Sequence, residues 1–428
     1  MPKISKIFAR EIIDSRADPT IETTVYLDDG NWGRAGVPSG ASIGQYESHE
    51  LRDTDNKRYR GKGVLRAVSH VNDIIGPGLI NVDPLRQIEI DRWMISVDKT
   101  PTKARVGANA MLSISMALAT AAANAERVPL YQYINALYRR VGGNAEIQRI
   151  PTPIFNVING GKHGAGNLDF QEYHVIPSTA KPYSEALRIG VELYHFTEDV
   201  LIEKNSIHSV GDEGGFAPDL NTNLDALEVV MQAVKKASYQ FGEDVFLGLD
   251  VAANYFHTKG RYKIRDAQNS FKTEQFIDFL VNLNSQYHLL ILEDPLVDDD
   301  WNGWKQLMGK LNDSVLIVGD DLLVTNKERL QKAINEKACS GILVKPNQIG
   351  TLTESLEVVK LAQDNNFKTI TSHRSGETND TFIADFAVGV QTDYVKFGAP
   401  ARGERVAKYN RLLEIEGAIV QKGEKNND

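Results

Sequence analysis

The chain has 428 residues, more than one compact core usually holds, so two domains are expected, one of them large. A composition of 42% hydrophobic and 25% charged residues excludes a disordered or fibrous chain. The balance of 48 Lys and Arg against 57 Asp and Glu, net −9, disfavours nonspecific binding to nucleic acid or anionic membranes, and the single Cys339 excludes a disulfide framework or a cysteine zinc cage. The opening MPKISKIFAREIIDSR carries basic residues but no continuous apolar run, so it does not read as a secretory signal. Up to about residue 60 the texture is strand-like: IETTVYLDDGNWGRAGVPSG alternates and holds an Asp29-Gly30 turn. Helical texture follows, including an Ala-rich segment from Ala110 to Ala125 that is too short to span a bilayer and reads as a helix packed inside a domain. Strands followed by helices predict a small α+β unit over residues 1–140. Gly142-Gly143 and the proline-punctuated IPTPIFNVINGG mark a boundary, and residues 145–428 read as a second domain.

Past that boundary the pattern becomes periodic. VFLGLD ends at Asp250, LLILED carries Glu293, SVLIVGDD carries Asp320, GILVK ends at Lys345, KTITSHRS carries His373 and DYVK ends at Lys396. Between these apolar runs lie helical patterns such as LDALEVVMQAVKKA and TLTESLEVVKLAQDN. Buried strands alternating with amphipathic helices predict successive βα units of a parallel sheet. A charged or polar residue at one strand end after another favours a barrel over an open sheet, because barrel enzymes place their chemistry on that face.

If the strands converge, Asp250, Glu293 and Asp320 come together, and three carboxylates at low dielectric repel one another unless a cation lies among them. Oxygen donors without Cys or His point to magnesium. The neighbours Asp294 and Asp321 are expected to be solvated turn residues. Lys345 and Lys396 close apolar strands on the same face, where a metal and a second lysine destabilise an ammonium and make it a candidate base. In SHRSGET, Arg374 and Ser375 follow His373 with a guanidinium, a hydroxyl and turn N–H groups suited to a phosphate. GDEGGFAP is a glycine-bracketed loop presenting Glu213, which lies either in solvent or over the barrel mouth as a proton donor. The chain has neither a dinucleotide fingerprint nor a Walker lysine motif.

Taken with DSR and PT near the start, VPSGAS, GANA, NGGKH, QEY, LDVAA, LEDP, GDDL, LVKPNQIGTLTES and RGERVAKYNRLLEIE, these segments resemble the enolases, the glycolytic phosphopyruvate hydratases, over essentially the whole chain. A lysine base beside magnesium is itself the known arrangement of enolase-superfamily sites. The resemblance implies an α/β fold, an N-terminal α+β domain followed by an enolase-type (β/α)8 barrel with irregular opening units. It also implies reversible dehydration of 2-phospho-D-glycerate to phosphoenolpyruvate with two Mg2+ per site. Asp250, Glu293 and Asp320 match the ligands of the first ion, and Ser42 matches a loop residue reaching the second. Lys345 matches the base at C2 and Glu213 the acid at the C3 hydroxyl, with Glu172 beside it raising its pKa. His163 and Gln171 are expected near the substrate, Arg374 and Ser375 on its phosphate, Lys396 on its carboxylate, and His373 closing the pocket.

The same resemblance implies a cytoplasmic homodimer or higher homo-oligomer, with no nucleic-acid partner and no membrane insertion, and Pro346 suggests the bacterial type. Ala17-Asp18, Ile43, Asn254-Tyr255 and Phe397 stand where the family usually has Gly-Asn, Thr, Ser-Glu and Thr. Two alternatives remain on the same fold: another reaction of the superfamily, such as racemisation or cycloisomerisation, and a secondary scaffold or surface-binding role with a surface or secreted pool. SHRSGET and GDEGG argue against the first.

Overall fold

The computed structural model describes residues 1–40, 44–164, 166–311 and 314–425. Alternating residues near the N-terminus form an antiparallel meander, β1 (Ile4–Ile13), β2 (Pro19–Leu27) and β3 (Trp32–Gly36). One face of this sheet rests on the Ala-rich helix Ala108–Glu126, which is buried along nearly its whole length. Small residues let sheet and helix approach at backbone distance: a Cβ on Gly33 would lie 2.1 Å from the Ala121 nitrogen. Thr23 and Ser113 hydroxyls share a hydrogen bond of 2.7 Å across the same contact.

The second part is a closed barrel of β4 (Thr152–Asn159), β5 (Glu172–Pro177), β6 (Val245–Asp250), β9 (Ile291–Glu293), β10 (Leu316–Gly319), β11 (Gly341–Val344), β12 (Lys368–Ser372) and β13 (Tyr394–Lys396). A two-stranded ribbon, β7 (His257–Thr258) and β8 (Arg261–Tyr262), lies outside it. From β6 onward each barrel strand pairs in parallel with its sequence neighbour, and β13 closes on β4 in parallel. Intervening helices make this parallel order sterically natural.

The opening is different. Among its described residues the connection 160–171 between β4 and β5 contains no helix, and β5 returns antiparallel to β4. Two helices, Tyr183–Glu203 and Asn223–Lys236, then lead to β6, which is antiparallel to β5. Consequently β5 begins, rather than ends, at the barrel mouth.

The barrel interior is layered. Ile154, Ile176, Ile291, Val318, Leu343, Ile370 and Tyr394, with Phe246 against them, fill its floor. Two residues toward the mouth on each strand, where the pleat again points inward, stand Asn156, His174, Gly248, Glu293, Asp320, Lys345, Ser372 and Lys396. Apolar floor gives way to polar side chains within one strand repeat.

The N-terminal part clasps the barrel through buried polar contacts. Asp91 accepts from the backbone nitrogen (3.0 Å) and hydroxyl (2.6 Å) of Thr353, and Lys103 pairs with Glu354 at 2.9 Å. Nearer the mouth, the Ser39 and Gly376 backbones exchange hydrogen bonds of 2.7 and 2.9 Å. Among the described residues no helix is long and apolar enough to cross a membrane.

Candidate active site

Asp250 and Glu293 face each other in register across β6 and β9, and Asp320 follows β10 directly. All three lie at the mouth, as does Lys396 at the end of β13. Its Nζ stands 2.8 Å from Glu293, 3.1 Å from Glu172 and 3.3 Å from Asp250. Lys345, one residue past β11, is paired instead with Asp320, whose other oxygen accepts from Gln348 Nε2 at 2.9 Å. Burial and the nearby Asp250 push the Glu293 carboxyl well above its usual range despite Lys396. A cluster that crowds carboxylates until one resists ionisation calls for more positive charge than one ammonium supplies.

Asp294 and Asp321 are not solvated turn residues, contrary to expectation. Asp294 is buried and accepts from the backbone nitrogens of Asp320 (2.9 Å) and Asp321 (2.8 Å), so it shapes the turn that presents Asp320. Those nitrogens lie just past β10, 26 and 27 residues further along the chain. Asp321 accepts from Asn254 Nδ2 at 3.1 Å, which gives that unusual residue a structural partner.

A second cluster stands beside the first. Glu172 opens β5 and Glu213 sits on the segment between the two helices that follow; both are buried. His163 Nδ1 lies 3.4 Å from Glu213 and 3.6 Å from Glu172, and His373 Nε2 lies 3.5 Å from Glu213. Asn156 Nδ2 reaches Glu213 at 3.3 Å. Burial alone would lower His163, but Glu213 and Glu172 outweigh it and raise the imidazole to about 10. Burial would likewise raise Glu213, yet His163 and His373 hold it well below the usual carboxylate range. Glu172 is also lowered: burial opposes this, and Lys396, His163 and His174 prevail. The expected elevation of Glu213 by Glu172 is therefore overridden by two imidazoles, which favour its ionised form. His373 Nδ1 accepts from Arg405 at 2.7 Å, which leaves its ring hydrogen on Nε2, toward Glu213.

Arg374 and Ser375 lie buried just past β12. Arg405, fully buried, donates to the backbone oxygens of both at 2.6 Å and fixes their turn. The Arg374 guanidinium forms a two-pronged pair with Glu47 at 2.9 and 3.2 Å and donates to Asn347 at 3.0 Å. Gln171 donates to Asp250 at 3.1 Å. Among the described residues, both nitrogens of His163, Gln171 Oε1 and the side-chain amide of Asn159 are buried without a hydrogen-bond partner. Buried polar atoms in this state are costly unless a ligand meets them, and these surround the mouth. Ser42 and Ile43 lie outside the described residues.

The comparisons agree with this geometry. A model described as "Enolase, N-terminal domain" matches residues 4–134, and one described as "Enolase, C-terminal TIM barrel domain" matches residues 147–427. The chain belongs to the enolase family. It is accordingly a lyase of the enolase superfamily, with an N-terminal α+β part and an enolase-type barrel.

Members of this family use Mg2+, and acidic groups able to hold an ion are present, Asp294, Asp320 and Asp321 among them. Of the three expected ligands, Asp250 and Glu293 share the Lys396 ammonium and Asp320 pairs with Lys345, so their oxygen donors and crowded negative charge suit a hard divalent ion. Among the described residues, the three carboxylates whose oxygens meet most closely are those of Asp294, Asp320 and Asp321. Other departures from the family pattern are absorbed locally. Phe397 is buried with its ring 5.8 Å from that of Tyr409, and Lys162 lies 4.1 Å over the ring of Tyr255.

Sequence reading did not single out Glu47, Asn156, His174, Gln348 or Arg405, and it took Asp294 for a solvated turn residue. Only His174 carried a visible signal, since it shares a strand face with Glu172 two residues away.

Proposed function

We propose that this chain catalyses the reversible, Mg2+-dependent dehydration of 2-phospho-D-glycerate to phosphoenolpyruvate. The observation that carries the reading is the pairing of two lysines with strand-end carboxylates on one side of the mouth and an imidazole-held Glu213 on the other. An elimination needs a base and an acid that do not neutralise each other, and this separation supplies both.

Magnesium held by Asp250, Glu293 and Asp320, with Ser42 reaching a second ion, would supply positive charge against the substrate carboxylate as the ene-diolate forms. Lys345 removes the C2 proton. Burial and the neighbouring Arg374 and Lys396 favour its neutral form, but Asp320 outweighs them and holds the ammonium above its usual range, contrary to the expected destabilisation, so Lys345 would act as a base only once Asp320 is drawn away from it. Lys396 binds the substrate carboxylate, where charge accumulates, and so stabilises the transition state more than the ground state. Arg374 and Ser375 bind the phosphate. Glu213, reprotonated from the neighbouring His163, protonates the departing C3 hydroxyl, with Glu172 and His373 fixing the surroundings and Gln171 lining the pocket.

The same reading takes residues 1–140 as a capping domain on a barrel of 145–428. It also implies a glycolytic and gluconeogenic role in the cytoplasm and a homodimer. Ultraviolet absorbance of phosphoenolpyruvate tests the activity directly. It should rise when 2-phosphoglycerate and Mg2+ are both present, stop with excess chelator and resume when Mg2+ is restored. No absorbance change with both present would refute the reading.

A further inference from the structure

His174 lies in the polar layer of the barrel interior, directly above the apolar floor, and is buried. Its neighbour on β6 is Gly248, where a Cβ would stand 3.3 Å from His174 Nδ1 and 3.4 Å from its Cβ, so the glycine makes room for the ring. His174 Nε2 lies 2.9 Å from Oε2 of Glu172, and among the described residues its Nδ1 has no hydrogen-bond partner. A carboxylate accepts, so the ring hydrogen is on Nε2, and only an acceptor lone pair is left over at Nδ1.

The contact divides the two oxygens of Glu172. Oε2 takes His174 from below and Lys396 at 3.1 Å from the side, while Oε1 alone points toward His163, 3.6 Å away, and the pocket. Two donors on one oxygen fix the rotation of the carboxylate. Lys396 alone is a single contact to Glu172, from an ammonium shared with Glu293 and Asp250.

We propose that His174 is a positioning residue for the reaction: by donating to Oε2 it fixes Glu172 so that Oε1 faces the substrate pocket. It touches no substrate and acts through Glu172. The proposal rests on the dehydratase reading above, and the experiment separates the two.

Wild type, His174→Leu and His174→Gln are compared as full chains with 2-phosphoglycerate and Mg2+, reading kcat, KM and the thermal midpoint. His174→Met serves as the apolar variant where Leu does not fold. Loss of a buried hydrogen bond to a charged group should lower kcat about 10- to 100-fold in the apolar variant, with KM changed less than about threefold. Gln places an amide N–H near the imidazole Nε2 and should recover kcat to within about fivefold of wild type, because the donor is restored. Wild-type kcat in the apolar variant, or equal losses in Gln and the apolar variant, overturns the proposal, since a purely packing role would not distinguish the two by their donor. A wild-type chain inactive on 2-phosphoglycerate overturns the dehydratase reading itself.

Discussion

The two clusters at the barrel mouth use opposite electrostatic arrangements. Around Asp250, Glu293 and Asp320 the charges are carboxylates in excess, satisfied by ammonium groups on long stems. Around Glu213 and Glu172 the partners are short, buried imidazoles: His373 is held by Arg405, His174 by its strand, and His163 stands in the connection between β4 and β5. A lysine can withdraw and leave its oxygens to another cation, whereas a fixed imidazole retains a proton close to the carboxylate. The first arrangement suits a metal and a base, and the second suits an acid. The difference is one of tether length as much as of charge.

Removing the base should have the largest effect. Lys345→Ala is expected to depress both C2 proton exchange with solvent and phosphoenolpyruvate formation by about 10³–10⁴-fold, the upper part of the range for a positioned base. Wild-type exchange in that variant would move the base elsewhere. Glu213→Gln should split the two steps instead. Elimination slows by about 10²–10⁴-fold while deuterium wash-in at C2 survives far better, because Gln keeps the size but carries no acidic proton. Equal losses in both would reduce Glu213 to a structural carboxylate and erase the contrast between the clusters.

The imidazole side also predicts a pH dependence of stability. Folding raises His163 from 6.5 to about 10, so its pairing contributes fully below pH 6.5 and is lost as pH rises toward 10. The thermal midpoint of wild type should exceed that of His163→Gln by about 2–4 °C near pH 6, and the gap should close by pH 10. A gap that widens with pH would contradict a protonated His163.

The smallest effect lies outside both clusters. Ala17 takes a left-handed φ of +59° in the turn organised by Asp14, whose Oδ1 accepts from the backbone nitrogens of Arg16 and Asp18 at 2.8 and 2.9 Å. Ala17→Gly should relieve the Cβ strain and stabilise the chain by about 0.5–1 kcal/mol, read from denaturant unfolding. The catalytic clusters should not register it.

How much of this was legible in the sequence follows from strand direction. Asp250, Glu293, Asp320, Lys345, His373 and Lys396 all stand at or just past the ends of strands that run toward the mouth, so an apolar run followed by a charge announces each of them. Glu172 belongs to the one barrel strand that runs away from the mouth. Its charge precedes the apolar run, and Glu172 and Gln171 are found from motif resemblance alone. Glu213 sits between two helices, where no strand marks its position. Asp294 was misjudged because a residue before proline reads as a turn, and its burial depends on backbone groups of the next strand. The contacts of Glu47 with Arg374, and of Arg405 with the turn of Arg374 and Ser375, join segments far apart in sequence and leave no local signature.

The packed floor of Ile154, Ile176, Ile291, Val318, Leu343, Ile370 and Tyr394 turns the barrel into a blind well. Apart from the Tyr394 hydroxyl the lining of that floor is apolar, so under the proposed reaction a proton, a water molecule and a phosphorylated acid would share one doorway. A seated substrate would narrow that doorway, and any exchange with solvent, that of the C2 proton included, would have to pass the rim and not the floor.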